Sequence, residues 1–440
     1  MKTTYLANNN SNKALEKKGQ IIMQNGYRIL AGNEKVSIDT YSTKLNNNDL
    51  VIGGSGSGKT SGYIKPNIAN TTEQSIVVAD TKGNLYGKFK DLLESRGYTV
   101  YNIDFKDLCK SPNGYNPFDY IRVNEDTGNY SQQDVQKLAS FLCPVNKQSG
   151  RDDFWDEIAQ SYISCAIAYI METEEKEDRN MKTLLETFRL LDKSDFKSSI
   201  DNLLIENPDS FAASCFYGIN KTSASEKTNA SAMAVLNTHL FPFMSKEALS
   251  MYCNDNKVYF EELGNKKTAL FLTISDSESS MYRAVNMLYR DAFDSLIKLA
   301  DSQSNSRLKV PVHFYLDDFA TNTLIPDFDN LISVIRSRDI SVSIIVQNIS
   351  QLRERYNGMA NTIIANCDHI IYLGCTDQDT ASFISFRMNI MPSSICNLPR
   401  DKAYILETGK KYVSTDKYFF DDAIINKLQE EEKDSMFKEV

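Results

Sequence analysis

The residues best suited to chemistry stand in a short glycine-rich stretch, GGSGSGKT, which follows the apolar run DLVI. Its spacing is G-x-x-x-x-G-K-[ST]. In this pattern backbone N–H groups converge on phosphate oxygens, the lysine reaches the β- and γ-phosphates, and the hydroxyl ligates Mg²⁺. The pattern predicts an ATP site that uses Mg²⁺, with Lys59 and Thr60 in the last two roles. The predicted cradle consists of Gly53, Gly54, Ser55, Gly56, Ser57, Gly58, Lys59 and Thr60.

Such a loop needs a carboxylate that completes the magnesium shell at the end of a buried strand in the same sheet. The stretch VHFYLDDF supplies Asp317 as this nucleotide- and metal-binding residue. Translocating ATPases usually carry Glu at the next position, as the base that orients the attacking water. Here Asp318 takes that catalytic position with a shorter side chain, and a misplacement of about 1 Å can cost ~100-fold in rate. Three interpretations stay open: Asp318 works from a shifted backbone, hydrolysis is slow, or ATP is bound and barely cleaved.

Two more stretches contain candidate catalytic residues. The strand ISVSIIVQ ends in Gln347, which suits a sensor of the γ-phosphate or its water, although a strand-end residue that caps a helix also fits. The turn IRSRD before that strand holds Arg336 and Arg338. These arginines are either solvated charges or, for one of them, an arginine finger that reaches the γ-phosphate of a neighbouring subunit.

The stretch VADTKGNLY is a third candidate. Asp80 ends a strand that we expect beside the strand of the glycine loop, and Lys82 and Gly83 follow in a tight turn. Ligands of α/β folds bind at this edge of a sheet. An ordinary turn with a helix-capping carboxylate explains the stretch equally well.

Hydrophobic patterning indicates which elements position these side chains. Strands alternate with helical stretches, which predicts a mainly parallel α/β sheet. Residues 402–420 predict an edge hairpin with its turn at TGKK. The predicted buried strands are DLVIGG, SIVVAD, YTVYNIDF, KTALFLTI, VHFYLDDF, ISVSIIVQ and HIIYLG.

The strand pattern stops between about residues 130 and 262, where apolar residues recur every three or four positions and predict helices alone. An all-α domain is therefore inserted into the nucleotide-binding domain. We expect the acidic tail to end as an exposed helix, more simply a solvated face than a recruitment signal. The predicted plan is a polar N-terminal segment (1–45), the first part of the nucleotide-binding domain (46–125), the all-α insert (126–264), the second part (265–420) and the acidic tail (421–440).

Composition limits the partners of this chain of 440 residues. Its formal net charge of −9 argues against a protein that coats duplex DNA, so any contact with nucleic acid must be local. The longest apolar runs fall far short of the roughly 18 residues that a membrane helix needs. We therefore expect no transmembrane helix in this chain.

Taken together, these stretches resemble one family, the TraG/VirD-type coupling ATPases of conjugative type IV secretion. The order and spacing of the pieces agree over most of the chain, and residues 314–352 are the most specific part. The pieces include GGSGSGKT with IKPN, VVADTKGNLY, GYNPFDYI, DDFWDEIAQSYISCAIAYI, KTALFLTISDSESSMYRAVNMLYRD and IIANCDHIIYLGCTDQDTASFIS.

The resemblance implies a RecA-like P-loop ATPase that forms a hexameric ring at the cytoplasmic face of the membrane. It implies recruitment of a relaxase bound to single-stranded DNA, delivery to a type IV secretion channel, and ATP hydrolysis coupled to DNA or protein translocation. By the same likeness Lys59, Thr60, Asp317 and Gln347 carry nucleotide roles. Arg338 matches the candidate trans-acting arginine of the family.

Two departures keep alternatives open. Members of the family usually begin with transmembrane helices, so we expect this chain to be either a soluble variant that docks on a membrane partner or a form from which the anchor has been removed. Asp318 replaces the usual Glu, and Asn84 stands where an acidic residue is common. The alternatives are a nucleotide-gated docking scaffold with little ATP turnover, and another hexameric DNA translocase.

Overall fold

A long central sheet organises the part of the chain that the computed structural model describes, residues 26–145, 154–191, 194–222 and 226–436. Residues 1–25, most of the predicted polar N-terminal segment, lie outside these ranges. The strands are β1 (Tyr27–Ala31), β2 (Glu34–Ser37), β3 (Asp49–Ile52), β4 (Ser75–Asp80), β5 (Thr99–Asp104), β6 (Thr268–Thr273), β7 (Val312–Leu316), β8 (Ile340–Val346), β9 (His369–Tyr372), β10 (Lys402–Glu407) and β11 (Val413–Asp416).

Helices connect and follow these strands, and a π-helical turn (Thr60–Ile64) begins the helix after β3. Short 3₁₀ turns lie at Leu108–Lys110, Pro117–Tyr120, Lys176–Asp178, Phe241–Phe243 and Arg336–Arg338. The α-helices are α1 (Thr40–Thr43), α2 (Lys65–Asn70), α3 (Leu85–Ser95), α4 (Gln132–Leu142), α5 (Phe154–Thr173), α6 (Met181–Phe188), α7 (Ser194–Glu206), α8 (Phe211–Thr222), α9 (Glu226–Leu240), α10 (Lys246–Tyr252), α11 (Glu261–Asn265), α12 (Tyr282–Ser302), α13 (Phe319–Asn322), α14 (Phe328–Val334), α15 (Ile349–Tyr356), α16 (Met359–Ala365), α17 (Gln378–Met388), α18 (Pro392–Cys396) and α19 (Ala423–Met436).

Within the described ranges the main sheet has nine strands in the order β11-β10-β9-β3-β8-β7-β4-β6-β5. The seven strands from β9 to β5 run parallel to their neighbours, while β10 and β11 add an antiparallel hairpin at one edge. The register places Val51 of β3 between Ile345 of β8 and Ile371 of β9. The predicted parallel α/β sheet and its edge hairpin are confirmed.

One predicted neighbour relation is wrong. We expected β4, which ends in Asp80, beside the strand of the glycine loop, but β8 and β7 lie between β3 and β4. Connections between parallel strands can skip positions, so proximity along the chain does not fix which strands pair. The two strands that do lie between them carry Asp317 and Gln347 after their carboxyl ends.

Both faces of the sheet are covered, which explains why its strands read as continuous apolar runs. On β3, Leu50 and Ile52 contribute to the core on one face and Val51 to the core on the other. The first face packs under α12 and α14–α17, and the second under α2, α3, α19 and the β1–β2 hairpin.

The eight helices α4–α11 lie between β5 and β6, where a simple parallel pair needs only one crossover helix. Within the described residues, this stretch forms helices and turns apart from the isolated bridges Gly114–Lys257 and Val123–Tyr130. The helix α5 is central, since it contacts α4, α6, α8 and α9. The helical character of the insert matches the prediction, and the domain boundaries themselves stay predictions.

The β1–β2 hairpin was not predicted, although it packs on one face of the main sheet. Arg28 of β1 is buried and donates to Asp49 of β3 from Nε at 2.5 Å and from Nη2 at 2.8 Å. Burial alone would raise the pKa of Asp49, but the charge of Arg28 and the contact with His369 lower it below its ordinary value. Tyr63, in the helix after the glycine loop, donates to the same carboxylate. The hairpin is thereby tied to the base of that helix.

The acidic tail is only partly the exposed helix that we expected. Residues 437–440 lie outside the described ranges, but α19 packs along α3 and buries Ile425. Asp422 accepts from Lys65 at 2.6 Å and also pairs with Lys88, while Arg96 donates to Glu432 at 2.8 Å. The acidic residues that face α3 therefore hold the helix in place. Among the described helices, none combines the length and apolar character that crossing a membrane requires.

Candidate nucleotide-binding site

The glycine loop, residues 53–60, lies at the carboxyl end of β3 in the middle of the sheet. Gly56 and Gly58 have φ angles of 71° and 96°, which residues with a side chain rarely adopt. A Cβ at Gly53 would lie 2.2 Å from Ser57 Oγ, so the loop also closes tightly on itself. These positions need glycine for backbone shape, as a phosphate-binding loop requires.

Lys59 lies across the mouth of the loop. Its Nζ donates to the carbonyl oxygens of Gly53 at 2.8 Å and Gly54 at 3.3 Å. The ammonium is thus held inside the loop, beside the N–H groups that would surround a phosphate. This is the position from which a lysine neutralises phosphate charge.

Thr60 and Asp317 meet at the carboxyl ends of the parallel strands. Thr60 Oγ1 donates to Asp317 Oδ2 at 3.3 Å, although β3 and β7 are separated by β8. The two residues come together because the carboxyl ends of parallel strands share one edge. A hydroxyl and a carboxylate at this distance fit the oxygen ligands that Mg²⁺ prefers when phosphates supply the remainder.

Burial sets the charge state of Asp317, whose side chain is almost fully enclosed. Desolvation and then the negative charge of Asp318 raise the pKa of Asp317 to about 6, against the opposing charge of Lys59. Asp317 Oδ1 accepts from the backbone N–H of Asp318 at 3.0 Å, which leaves Oδ2 directed toward Thr60. A cation at this point would stabilise the charge of the buried carboxylate.

Asp318 has a left-handed backbone, with φ 49° and ψ 39°. This conformation costs on the order of 1 kcal/mol for residues other than Gly, and Asp and Asn tolerate it best. One carboxylate oxygen of Asp318 is buried and has no hydrogen-bond partner within the described part of the chain. The backbone at this candidate base therefore departs from ordinary strand or helix geometry, and an acceptor is left available beside Asp317.

Gln347 follows β8, between the strands of the glycine loop and of Asp317, and is half-buried. The helix-capping alternative for this residue is wrong. The cap of α15 is the next residue, Asn348, whose Oδ1 accepts from Gln351 N at 2.8 Å. Gln347 is therefore available at the edge where the glycine loop and Asp317 lie.

Arg338 lies just before β8, at the amino-terminal ends of the parallel strands, whereas the glycine loop lies at their carboxyl ends. It pairs with Asp301 at 2.8 and 3.1 Å, while Arg336 donates to the carbonyl of Lys44 at 2.8 Å. The seven residues of β8 hold Arg338 roughly 20 Å from the glycine loop of its own chain. Within one chain the structure does not bring Arg338 to the other predicted site residues.

Asp80 is the helix-capping carboxylate of an ordinary turn, which is one of the two roles that the sequence allows. Its Oδ2 accepts from Leu85 N at 2.6 Å and Tyr86 N at 3.4 Å, at the start of α3. The stretch VADTKGNLY is thus a strand–turn–helix junction held by its own carboxylate.

Sequence reasoning missed the segment on the other side of the glycine loop. Residues 417–420, KYFF, follow β11 and lie against the loop, where Lys417 Nζ donates to Ser57 O at 2.9 Å. The sequence pattern places residues 417–420 in the predicted edge hairpin. A lysine followed by three aromatic residues at a strand end is a signal that could have marked them.

Comparisons with known proteins identify the family that this chain matches. The profile of the family described as "Type IV secretory system Conjugative DNA transfer" matches residues 6–389. The conjugal transfer protein TraG of Rhizobium radiobacter is 23% identical over 351 residues, which cover 77% of this chain and 51% of that protein. TraG of Agrobacterium fabrum (strain C58) is 24% identical over 287 residues, 62% of this chain and 41% of that protein. This chain thus spans about half the length of these relatives.

Solved structures support the fold. The bacterial conjugative coupling protein TrwBdeltaN70, in complex with sulphate, superposes with a TM-score of 0.65 at 19% identity, covering 86% of this chain and 87% of that one. TrwB in complex with ADP and Mg²⁺ gives a TM-score of 0.64 at 20% identity, with the same coverage of both chains. The fold is that of a RecA-like P-loop protein with helices inserted into a mainly parallel sheet.

Proposed function

Because this chain belongs to the family of type IV secretory system conjugative DNA transfer proteins, we propose that it is an ATP-hydrolysing coupling protein of conjugation. The observation that carries the proposal is the 3.3 Å contact between Thr60 and Asp317 beside the glycine loop. These two side chains and Lys59 match the donors and ligands that Mg²⁺ and a nucleoside triphosphate need. TrwB has been solved with ADP and Mg²⁺ and with an ATP analogue, which supports the same cofactors here.

In this proposal the glycine loop binds the phosphates and Thr60 and Asp317 hold the metal. Bound Mg·ATP supplies the phosphoanhydride bond and the charge that the site must stabilise. Lys59 leaves the carbonyls of Gly53 and Gly54 and neutralises phosphate oxygens. Asp318 orients the attacking water through its unpartnered oxygen, and Gln347 contacts the γ-phosphate or that water.

The site is completed by a neighbouring subunit. Arg338 lies too far from its own glycine loop to act there, and its pair with Asp301 is partly exposed, so it is weakly held. A ring of identical subunits can place Arg338 of one copy at the γ-phosphate of the next. We assign a homo-hexamer on this basis and on the family membership.

The partners follow from the family. We propose that the chain recruits a relaxase with its single-stranded DNA and hands this substrate to a type IV secretion channel at the cytoplasmic face of the membrane. The α4–α11 helices are the candidate reading surface, because they are inserted between β5 and β6, at the margin of the sheet farthest from the β10–β11 hairpin. The names of the relatives, conjugal transfer protein and conjugative coupling protein, support this assignment.

A second candidate function is a nucleotide-gated docking scaffold with little turnover. The observation that favours it is Asp318, a residue one methylene shorter than Glu at the position of the base. Nothing specific to this chain favours a different hexameric DNA translocase.

Steady-state ATPase measurements on assembled rings separate the two candidates. The coupling ATPase predicts turnover that single-stranded DNA stimulates and that Lys59→Ala abolishes. Lys410→Ala, which removes an exposed positive charge from the hairpin turn, is the matched control and should retain full activity. Binding of ATP to an assembled hexamer without measurable hydrolysis, with or without DNA, would support the scaffold.

A further inference from the structure

The glycine loop is flanked by a cavity on the side away from Asp317. The cavity has a volume of about 200 Å³ and is lined by Gly58, Ser61, Gly62, Arg400, Tyr418 and Phe419. A second cavity of about 470 Å³, lined by Gly54 and Gly374, shares Ser57 and Arg400 with the first. Ligand pockets in proteins commonly measure roughly 300–1,000 Å³, so the two together are large enough for part of a nucleotide.

The direction of the bound phosphates follows from the order of the strands. Thr60 contacts Asp317, which follows β7, so the metal and the γ-phosphate end lie toward β8 and β7. The segment 417–420 follows β11, on the opposite side of β3, beyond β9 and β10. A triphosphate whose γ end faces Asp317 must therefore extend its nucleoside toward residues 417–420.

This segment is held firmly against the loop. Lys417 donates to Ser57 O, and a Cβ at Gly62 would lie 2.8 Å from the carbonyl oxygen of Tyr418. Phe420 is buried, with its ring 6.2 Å from that of Phe89 in α3. The segment is thus fixed at both ends.

Two side chains of the segment are unsatisfied. Phe419 is 91% exposed, between anchored neighbours. The hydroxyl of Tyr418 is buried but has no hydrogen-bond partner in the described part of the chain, and the same holds for Ser57 Oγ on the facing loop. An exposed ring and two orphaned hydroxyls around one cavity are what a ligand with a flat ring and polar edges would complete.

We propose that residues 417–420 and Arg400 form the nucleoside half of the site, with Phe419 as the stacking partner of a purine base and the Tyr418 hydroxyl as a polar contact. This inference rests on the proposed function, since it assigns the other half of the same ligand. The base would be held chiefly by its ring face, and residues after the edge hairpin would set affinity for the nucleotide.

Calorimetric binding of Mg·ATP and of Mg·tripolyphosphate, which lacks the nucleoside, tests the assignment. Phe419→Ala should weaken ATP binding about 10-fold and leave tripolyphosphate binding unchanged, since one base stacked on an aromatic ring accounts for a difference of this size. Lys59→Ala should weaken both ligands. Phe386→Ala is the matched control, because Phe386 is 86% exposed on α17, and it should change neither.

Two outcomes would overturn the assignment. An unchanged affinity of Phe419→Ala for ATP would show that the base lies elsewhere, and an equal loss for ATP and tripolyphosphate would show that the ring only supports the loop. In both cases the proposed function survives, because the wild-type chain still binds ATP. A wild-type chain that binds neither ligand would overturn both proposals together.

Discussion

Thr60 and Asp317 are 257 positions apart in the chain, yet one hydrogen bond of 3.3 Å joins their side chains. The contact links the helix that begins at the glycine loop with the carboxyl end of β7. Because Asp317 is buried, its charge is stabilised poorly until a cation arrives.

The charge of Asp317 should make the free protein less stable at neutral pH. Its pKa in the folded chain, about 6, lies above its ordinary value of 3.8. The stability that this group contributes is therefore fully present below pH 4 and is lost as pH rises through about 6. Asp317→Asn should raise the free energy of unfolding at pH 7.5 by on the order of 2 kcal/mol without nucleotide or Mg²⁺. Thermal unfolding at several pH values measures this.

The same residue should show the opposite dependence in binding. Mg·ATP affinity of the wild-type chain should fall as pH drops from 7.5 to 5, because the protonated carboxyl does not bind the metal. Asp317→Asn should bind Mg·ATP weakly at every pH. A wild-type affinity that does not change with pH would contradict a metal-binding role for Asp317.

Asp318 should be replaceable by Asn without loss of fold. Asn tolerates the left-handed backbone as Asp does, so Asp318→Asn should keep its melting temperature and its affinity for ATP. We expect kcat to fall about 100-fold, because general-base catalysis contributes roughly that much. Pre-steady-state and steady-state ATPase assays on the same rings measure the change.

Asp318→Glu gives the contrasting test. The sequence alone suggests that the longer side chain would raise kcat, but Glu tolerates a φ of 49° less well than Asp. We therefore expect an unchanged or lower rate. A clear increase would show that the missing methylene, rather than the backbone, limits hydrolysis.

Arg338 should act only between subunits. Arg338→Ala should abolish ATP turnover in rings and change stability by less than about 1 kcal/mol, since its pair with Asp301 is partly exposed. Mixing Arg338→Ala subunits with Lys59→Ala subunits should restore part of the activity. At some interfaces an intact glycine loop then meets an intact arginine. Arg336→Ala is the control, and mixed rings without any recovery would count against action in trans.

The Arg28–Asp49 pair should be essential for stability. Both side chains are buried, and removing one partner leaves an uncompensated charge, which commonly costs about 3–5 kcal/mol. Arg28→Ala should therefore lower the melting temperature strongly, and through Tyr63 it should also weaken ATP binding. Lys35→Ala, on the exposed side of the same hairpin, should have little effect on either measurement.

The sequence predicted the sheet well because its inner strands, β3, β4 and β6–β9, are buried on both faces and flanked by turns. The glycine loop and Asp317 were found from patterns whose chemistry requires particular residue types. The order of strands could not be predicted, since β4 follows β3 in the chain but lies three positions away in the sheet. The β1–β2 hairpin was missed because Arg28, its anchor, is a charged residue that becomes buried only through Asp49.

Some polar residues of the candidate site were likewise predictable from the sequence, and others were not. Gln347 and Asp318 follow apolar strands, so their location was predictable, whereas the left-handed turn at Asp318 was not. Lys417, Tyr418 and Phe419 belong to no known spacing pattern in the sequence. They reach the glycine loop only because β10 and β11 fold back along β9.

The helices α4–α11 take the place of a single crossover between β5 and β6. These strands lie at one margin of the sheet, and the β10–β11 hairpin lies at the other. Lengthening or exchanging such a connection leaves the pairing of β5 with β6 intact. Under the proposed function, this segment sets the preference for the transferred substrate while the nucleotide-binding sheet stays constant, and exchanging the segment between relatives should change that preference.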